Sequence, residues 1–248
     1  MIVPWLPKKQ ITDYASKLIE DYTQIVQRDV HPPIPIEDII ERGLNLQLGF
    51  ANLRKKLEMD DVLGATFIRQ RRVCVDESLL NDKSEGRLCF TFAHEIGHWV
   101  LHRKLINHAC RSNSLANFIF CRLRDAKKPI EWQADYFASC LLMPAEQIRN
   151  AFYHIFGPRP LILYNLKSSF WGPISFDPCV ENWPVIAAKV KESGGFTNVS
   201  KQAMIIRLQE LGLVKNETRT RLSWQASAIF REANHLSSNR KGISISVL

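Results

Sequence analysis

The segment His94-Glu95-Ile96-Gly97-His98 holds the residues whose types and spacing are best suited to chemistry. In an α-helix, residues four apart lie on one face, roughly 6 Å apart along the axis, so both imidazoles can point at one ion. Glu95 lies between them and can reach a water molecule at that ion without binding the ion itself. A random chain of this composition would contain the pattern about 0.01 times. The segment therefore predicts a metal site, and the alternative is two histidines that only pack within a helix.

A second pair of residues, Glu131 and Asp135, supplies a candidate for a third ligand. They are four apart in a predicted helix whose other residues are mainly apolar. A buried carboxylate is costly unless it is paired or bound to a metal. The pattern therefore favours Glu131 as a ligand and Asp135 as the acceptor for the second N–H of a ligating histidine. The alternative is a solvated helix face.

This donor set indicates which metal would be bound. Two imidazoles, one carboxylate and a fourth position open to water are typical of catalytic zinc. His102 is a weaker ligand candidate, because no glycine follows His98 to turn the chain back, and a continuing helix would place His102 roughly 12 Å from His94 along the axis. We therefore predict a structural or supporting role for His102. Cys89 has no companion motif, which disfavours an iron site of the deformylase type.

The predicted elements around these residues mix helices and short strands. Helical spacing covers residues 11–22, 36–42, 87–102 and 130–142, and strands are predicted at 44–48, 64–69 and 73–76, of which the last two form a hairpin. Five of the twelve prolines fall between residues 158 and 184, which predicts a connection. Two short helices, at 186–192 and 200–211, follow it. The prediction is an α+β fold with residues 1–156 as one domain, a Pro-rich connection at 157–183 and a basic region at 184–248.

The amino-acid composition excludes some classes of protein and indicates where the chain is found. Hydrophobic residues make up 46% and charged residues 23%, which excludes a disordered or collagen-like chain. The net charge of +8 comes from two basic blocks, residues 103–128 and 184–248. Each block is a candidate surface for nucleic acid or an acidic partner, and the alternative is a solvated face. Six scattered cysteines, no signal peptide and no apolar run of about 20 residues predict a cytoplasmic protein with reduced thiols and no membrane contact.

Two longer segments carry a family resemblance. Residues 87–102 (RLCFTFAHEIGHWVLH) and 131–144 (EWQADYFASCLLMP) together resemble the ImmA/IrrE family of metallo-endopeptidases. The similarity extends over roughly residues 10–156 and includes the predicted hairpin. It implies a minimal zincin-like core, similar to a reduced gluzincin, in which a small sheet supports an active-site helix and a second helix carries the third ligand.

The resemblance also implies roles for individual residues. His94, His98 and Glu131 would bind one zinc ion per chain, and Glu95 would be the general base. Asp135 stands at a position that is often Asn in the family. The expectation that Asp135 accepts a hydrogen bond from a ligating histidine therefore rests mainly on its spacing from Glu131.

The family resemblance reaches the basic C-terminal region as well. Residues 196–213 are similar to the helix-turn-helix-like segment that many members carry after the protease core. As a reader of DNA, this segment would offer Lys201, Gln202 and Arg207. The alternatives are a packing module for the protease or a docking site for a protein partner.

The leading hypothesis is a zinc-dependent endopeptidase that cleaves a partner protein. Family members typically cleave a helix-turn-helix repressor, and such a substrate would be encoded nearby. Tyr136, His102 and Arg103 are all candidates for stabilising the oxyanion. The competing hypothesis is a regulatory or toxin-like protein with a structural metal and basic segments that bind DNA or protein. A third is a latent protease whose cleft is covered by Trp99 and the 99–130 connection.

Overall fold

Four short strands form the larger sheet of the computed structural model, which describes residues 3–80, 85–112, 118–122, 129–163 and 182–217. They are β1 (Gln47–Ala51), β2 (Val62–Phe67), β3 (Arg72–Asp76) and β4 (Phe118–Arg122), in the spatial order β1-β3-β2-β4. Strands β2 and β3 pair antiparallel, which confirms the predicted hairpin. β1 runs parallel to β3, and β4 runs antiparallel to β2. The strand predicted at 44–48 begins later, because a π-helical turn at Ile39–Gly43 still holds the Leu44 and Leu46 amides.

Nine α-helical segments occur in the described ranges. They are α1 (Lys8–Val26), α2 (Ile36–Asp38), α3 (Leu53–Leu57), α4 (Glu85–Gly97), α5 (Arg103–Ser112), α6 (Pro129–Leu142), α7 (Ala145–Phe156), α8 (Trp183–Gly194) and α9 (Lys201–Glu210). A second π-helical turn, His98–His102, joins α4 to α5, and a 3₁₀ turn spans Glu77–Leu79. The predicted α+β class is confirmed. Helix α7 and strand β4 were not predicted.

Helices α4 and α6 lie against each other, and this contact brings the two candidate ligand segments together. A Cβ atom added at Gly97 would stand 3.1 Å from both Cα and O of Ala134, so a larger side chain there would push the helices apart. Every residue of α6 from Gln133 to Leu142 is buried. Helix α1 packs on α6, and α4 packs on strands β2 and β3.

The C-terminal helices belong to the same hydrophobic core as the N-terminal ones. Ile186 of α8 and Leu208 of α9 are fully buried in the cluster that also contains Ile11 of α1. Strand β5 (Leu161–Leu163) pairs in parallel with β6 (Val214–Asn216). Residues 164–181 of the predicted Pro-rich connection lie outside the described residues, and the predicted domain boundaries stay a prediction.

The structure also describes the state of three cysteines and the character of the helices. Cys74, Cys89 and Cys140 are buried and free, whereas the side chains of the other three cysteines lie outside the described part of the chain. Over the described ranges, the structure contains no helix with both the length and the apolar character needed to cross a membrane.

Candidate metal centre

Three buried side chains converge where α4 meets α6. The Nε2 atoms of His94 and His98 are 2.9 Å apart, and His94 Nε2 lies 3.1 Å from Oε2 of Glu131. His98 Nε2 lies 3.6 Å from the other oxygen, Oε1, of Glu131. The three residues are no more than 4% exposed. The structure therefore brings together the three residues predicted as ligands, and a ligand atom of each lies within 4.8 Å of those of the other two.

The spacing of these atoms tests whether the residues fit zinc. Ligand atoms about 2.0 to 2.2 Å from a tetrahedral zinc stand roughly 3.3 Å from one another. The observed separations of 2.9, 3.1 and 3.6 Å lie on both sides of that value. The imidazole and carboxylate donors are also those that zinc prefers. The donor set fits zinc in chemistry and in spacing.

Glu131 is held in its ionised form at this point. Burial alone would raise its pKa, but the adjacent His94 and His98 rings outweigh burial and lower the pKa well below its usual range. A carboxylate that stays charged in a buried position needs a positive partner. A divalent cation between the two imidazoles would supply that partner.

Asp135 lies one helical turn after Glu131 and contacts the far side of the His94 ring. Its Oδ1 atom is 2.8 Å from His94 Nδ1. Since an ionised carboxylate only accepts hydrogen bonds, Nδ1 carries the hydrogen and Nε2 keeps its lone pair for the metal. This is the contact that the spacing predicted for Asp135, and its role beside a metal ligand stays a prediction.

His98 is also contacted on the side away from Glu131. Its Nδ1 atom lies 3.1 Å from His102 Nδ1, and His102 Nε2 lies 2.9 Å from Oε1 of Gln133. His102 is fully buried, and burial together with the nearby His98 lowers its pKa to about 4. His102 thus contacts a ligand candidate without joining the three converging atoms, as the absence of a glycine after His98 predicted. Gln133 was missed by sequence reasoning, although an amide inside an apolar helix is a signal.

Glu95 is completely buried beside strand β2. Its Oε2 atom accepts a hydrogen bond of 2.6 Å from Thr66 Oγ1, while Oε1 has no hydrogen-bond partner among the described residues. Burial raises the pKa of Glu95, and the nearby His98 and His94 lower it in part. The carboxylate is therefore fixed through one oxygen, and the other is left to take up a proton.

Gly64 on β2 leaves the space that the side chain of Glu95 occupies. A Cβ atom added at Gly64 would stand 2.5 Å from Oε1 of Glu95, closer than non-bonded atoms approach. Thr66 and Gly64 were not predicted as parts of the site. The signal that could have found Thr66 is a hydroxyl in the fully buried strand β2.

Comparison with known proteins agrees with this geometry. Residues 53–158 match the family model Peptidase_M78, described as the IrrE N-terminal-like domain. These residues form an IrrE N-terminal-like domain. The match includes the whole converging site and confirms the predicted family over that range. No curated protein matched the chain. The IrrE N-terminal-like domain is of metallopeptidase type.

The other oxyanion candidates of the IrrE N-terminal-like domain have different surroundings. The guanidinium of Arg103 lies 5.2 Å from the ring centre of Trp99, and that of Arg71 lies 5.5 Å from it. Burial and a hydrogen bond with Glu210 raise the pKa of Tyr136, whose hydroxyl thus lies beside α9. Trp99 is 5% exposed, but much of the 99–130 connection lies outside the described residues. A covered cleft in this domain stays a prediction.

Helix α9, which follows the IrrE N-terminal-like domain, places its three predicted contact residues differently. Lys201 is exposed and Gln202 is half-buried. Arg207 is 1% exposed, its Nε donates to the carbonyl of Met143 over 3.1 Å, and its Nη1 donates to Glu210 over 2.9 Å. The prediction that Arg207 contacts nucleic acid or a partner is therefore wrong for this fold, because its guanidinium stabilises the end of α6. The predictions for Lys201 and Gln202 stay open.

Proposed function

We propose that the chain is a zinc-dependent endopeptidase with His94, His98 and Glu131 as the zinc ligands. The observation that carries this proposal is the convergence of these three donor atoms beside a buried carboxylate, Glu95, in a domain of metallopeptidase type. When bound, zinc would act as a Lewis acid that polarises the scissile carbonyl and makes a water molecule a stronger nucleophile.

Glu95, held in place by Thr66, carries out the proton transfers of the hydrolysis. Glu95 accepts the proton of the attacking water and later donates it to the leaving amine. Thr66 occupies Oε2, so Oε1 is the oxygen that exchanges the proton. Because burial raises the pKa of Glu95, its carboxyl group holds the proton better between the two transfers than an exposed glutamate would.

The proposed substrate is a helix-turn-helix repressor encoded near this gene, in a cytoplasmic setting. The support for this substrate is the resemblance to the ImmA/IrrE family, whose members typically cleave such repressors. The buried, free thiols of Cys74, Cys89 and Cys140 are in keeping with a reducing compartment.

Three preparations test the proposal. The purified full chain, its Glu95→Gln variant and chelator-treated wild type would each be incubated with the proteins encoded by the neighbouring reading frames. We expect wild type to bind one zinc ion and to cleave one of these proteins, as detected by mass spectrometry of the products. The Glu95→Gln variant should keep the zinc and lose cleavage, and zinc added after chelation should restore it.

The opposite results would favour a different function. Cleavage by Glu95→Gln at the wild-type rate would show that Glu95 is not the general base. DNA binding that is sensitive to salt and survives both chelation and Glu95→Gln, without cleavage of any partner, would favour the regulatory hypothesis.

A further inference from the structure

A chain of hydrogen bonds runs from the N-terminal segment to His98. Gln133 Nε2 donates to the backbone carbonyl of Pro4 over 2.9 Å, and Gln133 Oε1 lies 2.9 Å from His102 Nε2. His102 Nδ1 in turn lies 3.1 Å from His98 Nδ1. His98, His102 and Gln133 are all completely buried. Water therefore does not compete for the contacts among these three side chains.

The backbone carbonyl of Pro4 fixes the direction of every hydrogen bond between Pro4 and His98. A backbone carbonyl only accepts, so the amide of Gln133 must turn its NH₂ group to Pro4 and its oxygen to His102. That oxygen also only accepts, so the Nε2 atom of His102 carries the hydrogen. In neutral His102 the Nδ1 atom is then the acceptor, and the Nδ1 atom of His98 must donate to it. His98 is left with a lone pair on Nε2, the atom that faces His94 and Glu131.

The N-terminal segment is held in place by ring stacking. The Trp5 ring lies 4.8 Å from the Trp132 ring, with an angle of 11° between their planes. Trp132 precedes Gln133 on α6, so the stack fixes the Pro4 carbonyl next to the amide that it orients. Trp5 is 66% exposed and contributes little to the hydrophobic core.

We propose that Gln133, oriented by the carbonyl of Pro4, is a positioning residue that sets the tautomer of His98 through His102 and so prepares His98 Nε2 for the metal. The inference rests on the proposed function, because it assigns a purpose to the lone pair of His98. It adds Pro4 and Trp5 to the residues that shape the site. Outer partners of ligating histidines affect metal affinity by about 10- to 100-fold.

The test measures metal binding and tautomers in the full chain. The variant Gln133→Leu removes both amide contacts at similar volume, and Gln147→Leu is a matched control, because Gln147 Nε2 also donates to a backbone carbonyl, that of Val30, over 2.9 Å. We expect Gln133→Leu to bind Zn²⁺ about 10- to 100-fold more weakly in competition with a chromophoric chelator. Gln147→Leu should bind Zn²⁺ like wild type.

Nitrogen-15 NMR of the histidine rings gives a readout that simple loss of packing would not change. In metal-free wild type, His98 should show a hydrogen on Nδ1 and His102 a hydrogen on Nε2. In Gln133→Leu, both rings should become mixtures of tautomers. If Gln133→Leu folds poorly, Trp5→Ala provides the test, since it frees the Pro4 carbonyl from outside the core, and we expect a several-fold weaker affinity for Zn²⁺.

The outcomes separate this inference from the proposed function. Equal Zn²⁺ affinity and unchanged tautomers in Gln133→Leu and Trp5→Ala would overturn the inference while wild type still binds zinc. Weaker binding in both variants, together with no cleavage of any partner by wild type, would support the inference and count against the peptidase. A wild-type chain that binds neither Zn²⁺ nor Co²⁺ would overturn both.

Discussion

The Nδ1 atom of His94 on α4 lies 2.8 Å from Oδ1 of Asp135 on α6, which ties the two helices together behind the metal ligands. Both residues are buried, so water does not compete for this contact. The bond orients the His94 ring and increases its basicity as a ligand. Because Asp135 contacts His94 and is not itself a proposed ligand, its contribution to metal affinity can be measured while all three ligands are kept.

Asp135→Ala should weaken zinc binding, and Asp135→Asn should restore most of it. The alanine variant leaves His94 Nδ1 without its acceptor, so we expect about 10- to 100-fold weaker binding. The asparagine side chain still offers a carbonyl oxygen. Competition with a chromophoric chelator would measure both affinities. Equal loss in the two variants would mean that the charge of Asp135, and not its hydrogen bond, is what the site requires.

Thr66→Val should slow catalysis without releasing zinc. The hydroxyl of Thr66 is the donor to Glu95 Oε2, and a hydrogen bond to a charged group contributes about 1.5 to 3 kcal/mol. We expect kcat to fall about tenfold or more. Thr91→Val is the control, since the Thr91 hydroxyl only donates to the Arg87 carbonyl within α4. An unchanged kcat in Thr66→Val would remove Thr66 from the machinery that holds Glu95.

Gly64→Ala should abolish cleavage while Gly49→Ala should be tolerated. In both cases the new Cβ would stand 2.5 Å from a side-chain atom. At Gly64 that atom is Oε1 of the buried Glu95, whereas at Gly49 it is the end of the flexible Arg72 side chain. Cleavage rate and zinc content of the two variants would be compared with wild type. Full activity in Gly64→Ala would show that Glu95 can move without loss of function.

Arg207→Met should destabilise the fold and leave the exposed surface almost unchanged. It removes the bonds to the Met143 carbonyl and to Glu210, which keeps Lys8 as a partner at 3.2 Å. We expect a loss of about 2 to 3 kcal/mol in the free energy of unfolding. Lys201→Met, at an exposed position, should change it by less than about 0.5 kcal/mol. Urea denaturation would measure both, and equal stabilities would contradict a structural role for Arg207.

Cys89 should resist alkylation in the folded chain. Burial raises the pKa of its thiol to about 12, and only the thiolate reacts readily. At pH 8 the pKa therefore lies above the solution pH, the thiol stays protonated, and iodoacetamide should label Cys89 slowly. Unfolding in urea lowers the pKa toward its usual value and should expose the residue to rapid labelling, as followed by peptide mass spectrometry. Rapid labelling of the folded chain would show that Cys89 is accessible.

The helices that carry the ligands could be predicted because their signals are local. The four-residue spacing of His94 and His98, and of Glu131 and Asp135, needs nothing more than helical periodicity. The end of α6 near Pro144 and the hairpin of β2 and β3 follow from equally local patterns.

The rest of the site depends on contacts between distant parts of the chain. Thr66 and Gly64 matter because β2 lies directly under α4, and Gln133 matters because the Pro4 carbonyl lies beside it. The residue pattern within a single helix or strand does not predict such contacts with a distant part of the chain. The same holds for Arg207, whose charge predicted a surface contact and whose guanidinium binds a helix end in the core.

The family match ends at residue 158, but the apolar surface continues beyond it. Ile148 and Phe152 of α7 are fully buried in the core cluster that includes Ile186 of α8 and Leu208 of α9. A fragment that ends at residue 158 would present the packing face of α7 to water, and exposed apolar patches of that kind promote aggregation. The stretch that has to be expressed intact for α7 to stay covered is therefore longer than residues 53–158, which the family model matches.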